Sequence, residues 1–274
     1  LSDPKAVIEH RVTLFPVNFD LTAYKAVFAN KDIGLGYLNS IIYVALGTFI
    51  SVSLSMLLAY PLSRKEFYGR KFYVDKGVLI PRQDTEVLVQ KAIEILKKNG
   101  KENKNSKKIL DIGCGSGIIG ITIALEIENS YVLGVDISEK ALETSEKNKK
   151  MLNSKNIKFI KSDLFENVEF NSFDMIVSNP PYISLGEMGI MSDDTLHEPS
   201  EALFAENDGL YFYYEICQKA SDYLADFGYL LFEIGYKQGC DLKKLLSLHF
   251  PDKRVRVLKD QFGQDRMVVV DDEK

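Results

Sequence analysis

The chain has 274 residues, which leaves room for one full domain of about 170–200 residues and an appendage. Its net charge of −5 and the lack of an obvious basic face disfavour direct nucleic-acid binding. The three cysteines and three histidines show no ligand or disulfide spacing, so the sequence predicts no metal site and indicates a reducing, cytoplasmic compartment.

Residues 1–65 are predicted to form an apolar helical segment. No charged residue lies between Asp32 and Arg64, and residues 38–60 are almost wholly apolar or hydroxylic, which is long enough to cross a bilayer. Four basic residues follow directly: Arg64, Lys65, Arg70 and Lys71. The positive-inside rule would then place the rest of the chain in the cytoplasm. The pattern predicts a membrane-spanning helix over 38–60, with an unusually apolar soluble helix pair as the alternative.

Three stretches of this segment resemble the start of a sugar-transporter permease: Leu14–Phe28, Tyr37–Ser40 and Ala59–Lys65. The resemblance implies membrane association. It also leaves open a third hypothesis, in which the chain is a membrane protein or a fusion of two proteins. In that case the permease-like segment would dominate the properties of the chain.

Residues 66–106 are predicted to be a hairpin and helix region that leads into a catalytic domain over residues 107–274. The stretch Lys97–Lys108 is rich in lysine and asparagine and includes the pair Asn99-Gly100. Such a composition is typical of a solvated linker, so we expect the first strand to begin just after it.

A short apolar strand from Lys108 runs through Asp111 into a glycine-rich turn, residues 113–117, and a helix is predicted over 118–128. Glycines let the backbone turn tightly and approach a ligand, and a helix N-terminus favours electron-rich groups. A second strand ends at Asp136, about 20 residues after the glycines, where a carboxylate can hold ribose hydroxyls. The pattern predicts a nucleotide-like ligand at this turn.

Two ligands fit that pattern to different degrees. Gly115, Gly117 and Gly120 satisfy G-x-G-x-x-G, so a dinucleotide-binding dehydrogenase has to be considered. Asp111, just ahead of the glycines, would repel a pyrophosphate but attract the ammonium of an amino-acid-like cofactor. S-adenosyl-L-methionine carries an ammonium, a sulfonium and a ribose but no phosphate, and it fits better.

Further strands and helices alternate to the end of the chain. Ser138 is expected to cap a helix ending near Asn153, and two later helices are predicted over 210–225 and 237–249. Strands are predicted over 157–162, 173–178 and 228–234, followed by a hairpin of 254–258 and 266–270 around Gly263. The alternation predicts an α/β fold with a seven-stranded, doubly wound, Rossmann-like sheet and a C-terminal antiparallel hairpin, with ligands at the carboxyl ends of its strands.

The run Asn179-Pro180-Pro181-Tyr182 ends the strand 173–178 and is the most unusual feature of the chain. The prolines have no backbone donor, so the strand stops there in a stiff bend. The bend presents one amide side chain, bare carbonyls and an aromatic ring. This arrangement suits a planar group that carries an NH2.

From about Glu66 to its C-terminus the chain resembles the HemK-type family, the protein-(glutamine-N5) methyltransferases that modify peptide chain release factors. The resemblance depends on the glycine turn, on N-P-P-Y and on four further stretches: Glu66–Gly69, Phe72–Glu86, His197–Leu203 and Asp208–Leu210. The I-P-R-x-D-T-E segment within Phe72–Glu86 separates this family from other methyltransferases with N-P-P-Y. The family commonly has proline where this chain has Gln83.

The resemblance implies a role for each matching residue. Asn179, Pro180, Pro181 and Tyr182 would hold the target amide, and Asn179 would also border the cofactor. Cofactor binding would fall to Asp111, Gly113, Cys114, Gly115, Ser116, Gly117, Asp136, Asp163 and Leu164. Within that set Asp111 and the turn would hold the methionine part, Asp136 the ribose, and Asp163 with Leu164 the adenine. Pro81, Arg82 and Glu198 would shape the substrate mouth.

The expected partner is a peptide chain release factor. The alternative is an amino-methyltransferase acting on adenine N6 or cytosine N4 of nucleic acid, because such enzymes share N-P-P-Y. That alternative predicts a target-recognition region or a basic surface.

Overall fold

The computed structural model describes residues 2–63, 66–75, 78–79, 82–100, 106–169, 172–184 and 204–272. The chain divides into two compact units, Leu1–Arg64 and Lys65–Lys274. Each unit is described by itself.

The N-terminal unit consists of helices α1 (Pro4–Ile8), α2 (Thr22–Ala29) and α3 (Lys31–Ser63). Large apolar side chains on α3 are exposed, among them Tyr43 at 74% and Phe49 at 71%. Within the described part of the chain, Lys31–Met56 is the one stretch whose length and composition suffice to cross a membrane. Between residues 33 and 56 the helix has no charged side chain, so water is an unfavourable surrounding for most of the circumference of this described part.

The second unit begins with a short hairpin of β1 (Glu66–Phe67) and β2 (Arg70–Lys71). Its turn residues Tyr68 and Gly69 have φ of 52° and 71°, as the tightest hairpin turns require. Helix α4 (Gln83–Gly100) follows. It extends three residues beyond Lys97, where the composition predicted a linker to begin, and the remainder of that linker, residues 101–105, lies outside the described residues.

Seven strands form the main sheet, which confirms the predicted architecture. They are β3 (Lys107–Ile112), β4 (Ser130–Asp136), β5 (Ile157–Lys161), β6 (Phe173–Ser178), β9 (Leu224–Glu233), β10 (Arg254–Lys259) and β11 (Asp265–Asp271). Their order is β10-β11-β9-β6-β3-β4-β5. The five strands from β9 to β5 run parallel, and β11 and β10 add the antiparallel hairpin. A second, two-stranded sheet pairs β7 (Ile183–Ser184) with β8 (Phe204–Ala205).

Helices cover both faces of the sheet. They are α5 (Ile118–Glu126), α6 (Glu139–Met151), the kinked α7 (Glu206–Gly209), α8 (Tyr211–Tyr223) and α9 (Gly239–His249). One core cluster joins α4 and α5 to the sheet, and a second joins α8 and α9 to the opposite face. Ser138 caps α6 as predicted, since its Oγ accepts from Ala141 N at 3.4 Å.

Most strand boundaries lie within one residue of the prediction, and the largest difference is at the start of β9. Strand β9 begins at Leu224 rather than Gly228, because Leu224 pairs with Phe173 before a register shift in the β6–β9 ladder. An irregular pairing of this kind leaves no alternating apolar pattern in the sequence.

Candidate active site

The carboxyl ends of the parallel strands bring the glycine loop, residues 113–117, to one edge of the sheet. Gly113, Gly115 and Gly117 all have positive φ, at 68°, 54° and 77°. A Cβ at Gly117 would lie 2.8 Å from Phe159 Cζ, so neither the backbone nor the space admits another residue there. The loop is tied to β4 by Gly113 N and Cys114 N, which both donate to Val135 O at 2.9 and 3.0 Å.

Asp111 lies beneath this loop and is completely buried. Its Oδ2 accepts from Gly120 N at 2.9 Å, so the carboxylate caps the first turn of α5. Its Oδ1 has no hydrogen-bond partner among the described residues. Burial, and to a smaller extent the nearby charge of Asp136, raise the pKa of Asp111 to about 7, while the Gly120 hydrogen bond opposes the rise. The capping contact is a role that the sequence did not indicate.

Asp136 braces the same loop from the end of β4. Its Oδ2 accepts from Gly115 N at 2.8 Å and its Oδ1 from Ser138 N at 2.9 Å. Burial raises the pKa of Asp136 above its ordinary value, and these backbone hydrogen bonds oppose the rise. The Asp136 carboxylate therefore stabilises the conformation of the loop, a role that is separate from the predicted binding of a ligand.

Cys114 and Ser116 are buried members of the loop. Burial raises the pKa of the Cys114 thiol well above its ordinary value, so it stays a neutral packing group rather than a nucleophile. Ser116 O accepts from Asn148 Nδ2 at 2.9 Å. Asn148 also exchanges two hydrogen bonds with the backbone of Tyr73, at 2.7 and 2.9 Å. The buried Asn148 amide therefore joins the segment before α4 to the loop. The sequence did not predict this role, because a single Asn among the lysines of a helix gives no distinguishing signal.

Asp163 and Leu164 follow β5. The Asp163 side chain is exposed and Leu164 is half-buried with φ of 46°. Ser162 N donates to Asp136 O at 3.0 Å, which joins the start of this turn to the end of β4. Ser162 Oγ also donates to Leu164 O at 3.0 Å and stabilises its left-handed backbone.

The N-P-P-Y corner follows β6, whose Ser178 pairs with Ile112 of β3 and Phe232 of β9. Asn179 is half-buried and its Nδ2 donates to Thr85 Oγ1 at 3.2 Å. Pro180 is buried. The hydrogen bond joins the corner to the first turn of α4, 94 residues earlier in the chain.

Tyr182 is fixed by both its backbone and its ring. Its carbonyl accepts from Gln238 Nε2 at 3.0 Å, and its hydroxyl donates to Glu233 Oε1 at 3.4 Å. A Cβ at Gly209 would clash with the Tyr182 carbonyl oxygen, so a glycine is required beside the corner. Burial, followed by the charge of Glu233, raises the pKa of Tyr182 above its ordinary value, and the phenol stays protonated.

A shallow pocket opens in front of this corner. Its lining consists of Leu79, Arg82, Asn179, Pro180, Pro181, Tyr182 and Ile183. Arg82 lines this pocket with the four residues of the corner, and its role at a substrate mouth stays a prediction. Pro81 and Glu198, which were assigned to the same mouth, lie outside the described residues.

Comparison with known proteins identifies the class first. Residues 84–203 match the family model of the Methyltransferase small domain. A methyltransferase from Pyrococcus furiosus is 19% identical over 82% of this chain and 100% of its own, with a TM-score of 0.55. Human methyltransferase 10 domain containing protein is 16% identical over 82% of this chain and 98% of its own, with a TM-score of 0.53. At such identities the structures show the fold alone, which is the α/β methyltransferase fold.

Curated relatives then identify the family. The chain is 46% identical to Release factor glutamine methyltransferase of Streptococcus pneumoniae over 78% of this chain and 74% of the relative. The protein of the same name from Lactococcus lactis subsp. lactis is 44% identical over 77% of this chain and 76% of its own. That from Fusobacterium nucleatum subsp. nucleatum is also 44% identical, and there the match spans only 59% of the relative's length. The chain belongs to the release factor glutamine methyltransferase family, which confirms the HemK-type resemblance.

Proposed function

We propose that this chain transfers a methyl group from S-adenosyl-L-methionine to the side-chain amide nitrogen of a glutamine in peptide chain release factors. The observation that carries the proposal is the N-P-P-Y corner, in which the NH2 end of the Asn179 amide is held by Thr85 at 3.2 Å. An amide held in this way offers its oxygen to a second NH2 group. Relatives that bear the name of this activity support the glutamine assignment.

The residues of the glycine loop fit the proposed cofactor. Asp111 Oδ1 is buried without a partner among the described residues, and a buried acceptor of this kind suits an ammonium group. Residues 113–117 contain no Lys or Arg, so the loop has no basic side chain for a pyrophosphate. When bound, S-adenosyl-L-methionine would supply an electrophilic methyl group on a positively charged sulfur.

Different loops would hold different parts of the cofactor. Asp111 and the backbone of residues 113–117 would bind the methionine part, and Asp136 the ribose hydroxyls. Asp163 would accept from the adenine amino group, with Leu164 beside the ring. The exposure of Asp163 supports this role, because its carboxylate is available to a ligand.

The corner would orient the substrate. An amide nitrogen is a poor nucleophile because its lone pair is delocalised into the carbonyl. Acceptors on both of its hydrogens, Asn179 Oδ1 and the Pro180 carbonyl, would localise electron density on nitrogen and aim it. The Tyr182 ring would pack on the amide plane. No strong base is needed, since an alkylated amide loses its extra proton readily to water.

The test offers labelled S-adenosyl-L-methionine and the full chain to purified release factor, DNA and RNA in parallel. The proposal expects label on a glutamine of the release factor alone. Label on DNA or RNA but not on release factor would overturn it in favour of a nucleic-acid amino-methyltransferase.

We also propose that α3 attaches the enzyme to a membrane, with the methyltransferase unit in the cytoplasm. The support is the exposure of apolar side chains along the helix and the absence of charge between Asp32 and Arg64. The full chain should sediment with membranes and require detergent for extraction. Recovery of a monomer from the soluble fraction without detergent would contradict this proposal and leave the methyl-transfer proposal unaffected.

A further inference from the structure

A buried amide on α6 joins two parts of the chain that are far apart in sequence. Asn148 is completely buried. Its Nδ2 donates to Tyr73 O and to Ser116 O, both at 2.9 Å, and its Oδ1 accepts from Tyr73 N at 2.7 Å. Both amide hydrogens and one lone pair of the amide oxygen are therefore used, as a buried polar side chain requires. These contacts fix the backbone of Tyr73 to the glycine loop, residues 113–117.

A second side chain of α6 contacts the same segment. This segment, the strap, consists of residues 72–75 and 78–79 and lies between β2 and α4. Lys147 Nζ lies 3.1 Å from the centre of the Tyr73 ring, and the Tyr73 hydroxyl donates to Asp75 Oδ2 at 3.0 Å. Both the backbone and the ring of one strap residue are therefore held by α6.

The other end of the strap borders both the glycine loop and the substrate pocket. Val78 is buried, and a Cβ at Gly115 would lie 3.7 Å from its Cγ1. The next residue, Leu79, lines the pocket together with Asn179 and Tyr182. One short segment therefore supplies a wall to the place proposed for the cofactor and a wall to the place proposed for the target amide.

We infer that Asn148 is a positioning residue, which fixes the strap before either ligand binds and so pre-organises both sites. The inference rests on the proposed function. A strap that is already ordered spares each ligand the free energy of ordering it. Without the Asn148 amide the first ligand would have to order the strap, and the second ligand would then find the strap in place.

This role predicts a characteristic pattern of binding when the amide is lost. If the strap is ordered in only about a tenth of the molecules, each ligand alone binds about tenfold more weakly. A saturating amount of one ligand selects the ordered strap, so the affinity for the other ligand recovers. A residue that supports only the fold would instead weaken binding equally with and without the other ligand.

The binding test uses the full chain in detergent, adenosylhomocysteine and purified release factor. In Asn148→Ala the Kd of adenosylhomocysteine, measured by calorimetry, should rise about tenfold. The Kd of release factor should rise by a similar factor without adenosylhomocysteine and return to within about twofold of wild type when adenosylhomocysteine is saturating. In turnover the loss should appear in the two KM values rather than in kcat. An unchanged Kd of adenosylhomocysteine, or a Kd of release factor that does not recover, would overturn the inference.

Two further variants make this result specific. Asn148→Asp keeps the shape and the acceptor for Tyr73 N but places an oxygen against two backbone carbonyls, so it should show the same pattern and serves if Asn148→Ala does not fold. Asn156→Ala is the matched control, since it removes a half-buried amide that donates to Ala124 O and Ser130 Oγ, both at 2.9 Å. These contacts lie at the amino ends of the strands, away from the site, so both affinities should be kept. Equal weakening in the control would contradict the inference.

A further measurement needs no ligand. The backbone N–H of Tyr73 donates to Asn148 Oδ1, so its hydrogen exchange, followed by NMR, should be faster in Asn148→Ala than in wild type or in Asn156→Ala. Exchange at the wild-type rate in Asn148→Ala would refute the inference. If the wild type does not methylate release factor, the proposed function fails, and the exchange of the Tyr73 amide still decides whether Asn148 fixes the strap.

Discussion

The glycine loop and the N-P-P-Y corner lie at the same edge of the sheet, but they are held by different means. The loop is held mainly by nearby groups: by positive φ angles, by hydrogen bonds to the backbone of the adjacent β4, and by the Asp136 carboxylate at the end of that strand. The corner is held by side chains that arrive from α4 and β9, namely Thr85 and Glu233. Mutations in the loop and in the corner should therefore affect cofactor binding and substrate orientation separately.

The largest effect is expected in the loop. Gly115→Val places a branched side chain at φ of 54°, which strains the turn and fills the path of the cofactor. Binding of adenosylhomocysteine, measured by calorimetry, should weaken by about 100-fold or more, a loss of about 3 kcal/mol. Gly263→Val is the matched control, because Gly263 has φ of 78° with no atom near its added Cβ and lies in the hairpin turn. Equal loss of binding in both variants would attribute the effect to general strain.

A smaller and purely kinetic effect is expected at the corner. Asn179→Ala removes the proposed acceptor for the target NH2 and leaves the loop untouched, so kcat on release factor should fall about 100-fold with little change in cofactor affinity. Asn167→Ala, which removes one exposed amide contact to Lys161 O, should be close to wild type. A near wild-type rate for Asn179→Ala would make N-P-P-Y a structural turn and remove the main support for the glutamine assignment.

The two regions share one property, a buried acid, and it predicts a pH dependence of stability. Burial raises the pKa of both Asp111 and Glu233 to about 7. Between about pH 4.5 and 7 the folded chain therefore binds more protons than the unfolded chain. As the pH rises through that range, the contribution of these two groups to the free energy of unfolding falls. Glu233→Gln should reduce the difference in Tm between pH 5 and pH 8 in the cofactor-free protein. The exposed Glu166→Gln should leave it unchanged, and a larger difference in Glu233→Gln would contradict the assignment.

The smallest effect is expected for Tyr182→Phe. The ring and its proposed packing on the target amide survive, and only the 3.4 Å hydrogen bond to Glu233 is lost. Neutral hydrogen bonds contribute about 0.5–1.5 kcal/mol, so kcat should fall no more than about tenfold. A loss as large as that of Asn179→Ala would show that the hydroxyl, rather than the ring, supports the substrate.

Much of the fold could be predicted because its signals are local. Strand β6 was expected at Phe173–Ser178 and has those bounds, since the prolines end the strand within two residues. Helix α5 was expected to begin at Ile118 and does so after Gly117 in a left-handed conformation. Boundaries that depend on pairing partners, such as the start of β9, were less accurate.

Within the site, local sequence alone sets the loop and the corner, because a glycine at positive φ and a proline after a strand impose their conformation on the residues next to them. The groups that surround the loop and the corner depend on how the chain packs. Glu233 lies within an apolar strand and gives no sign of its neighbours, and Thr85 and Asn148 meet their partners across 94 and 75 residues. Such contacts arise when the packed sheet excludes water and leaves distant polar groups to satisfy one another, a requirement that exists only in the folded chain.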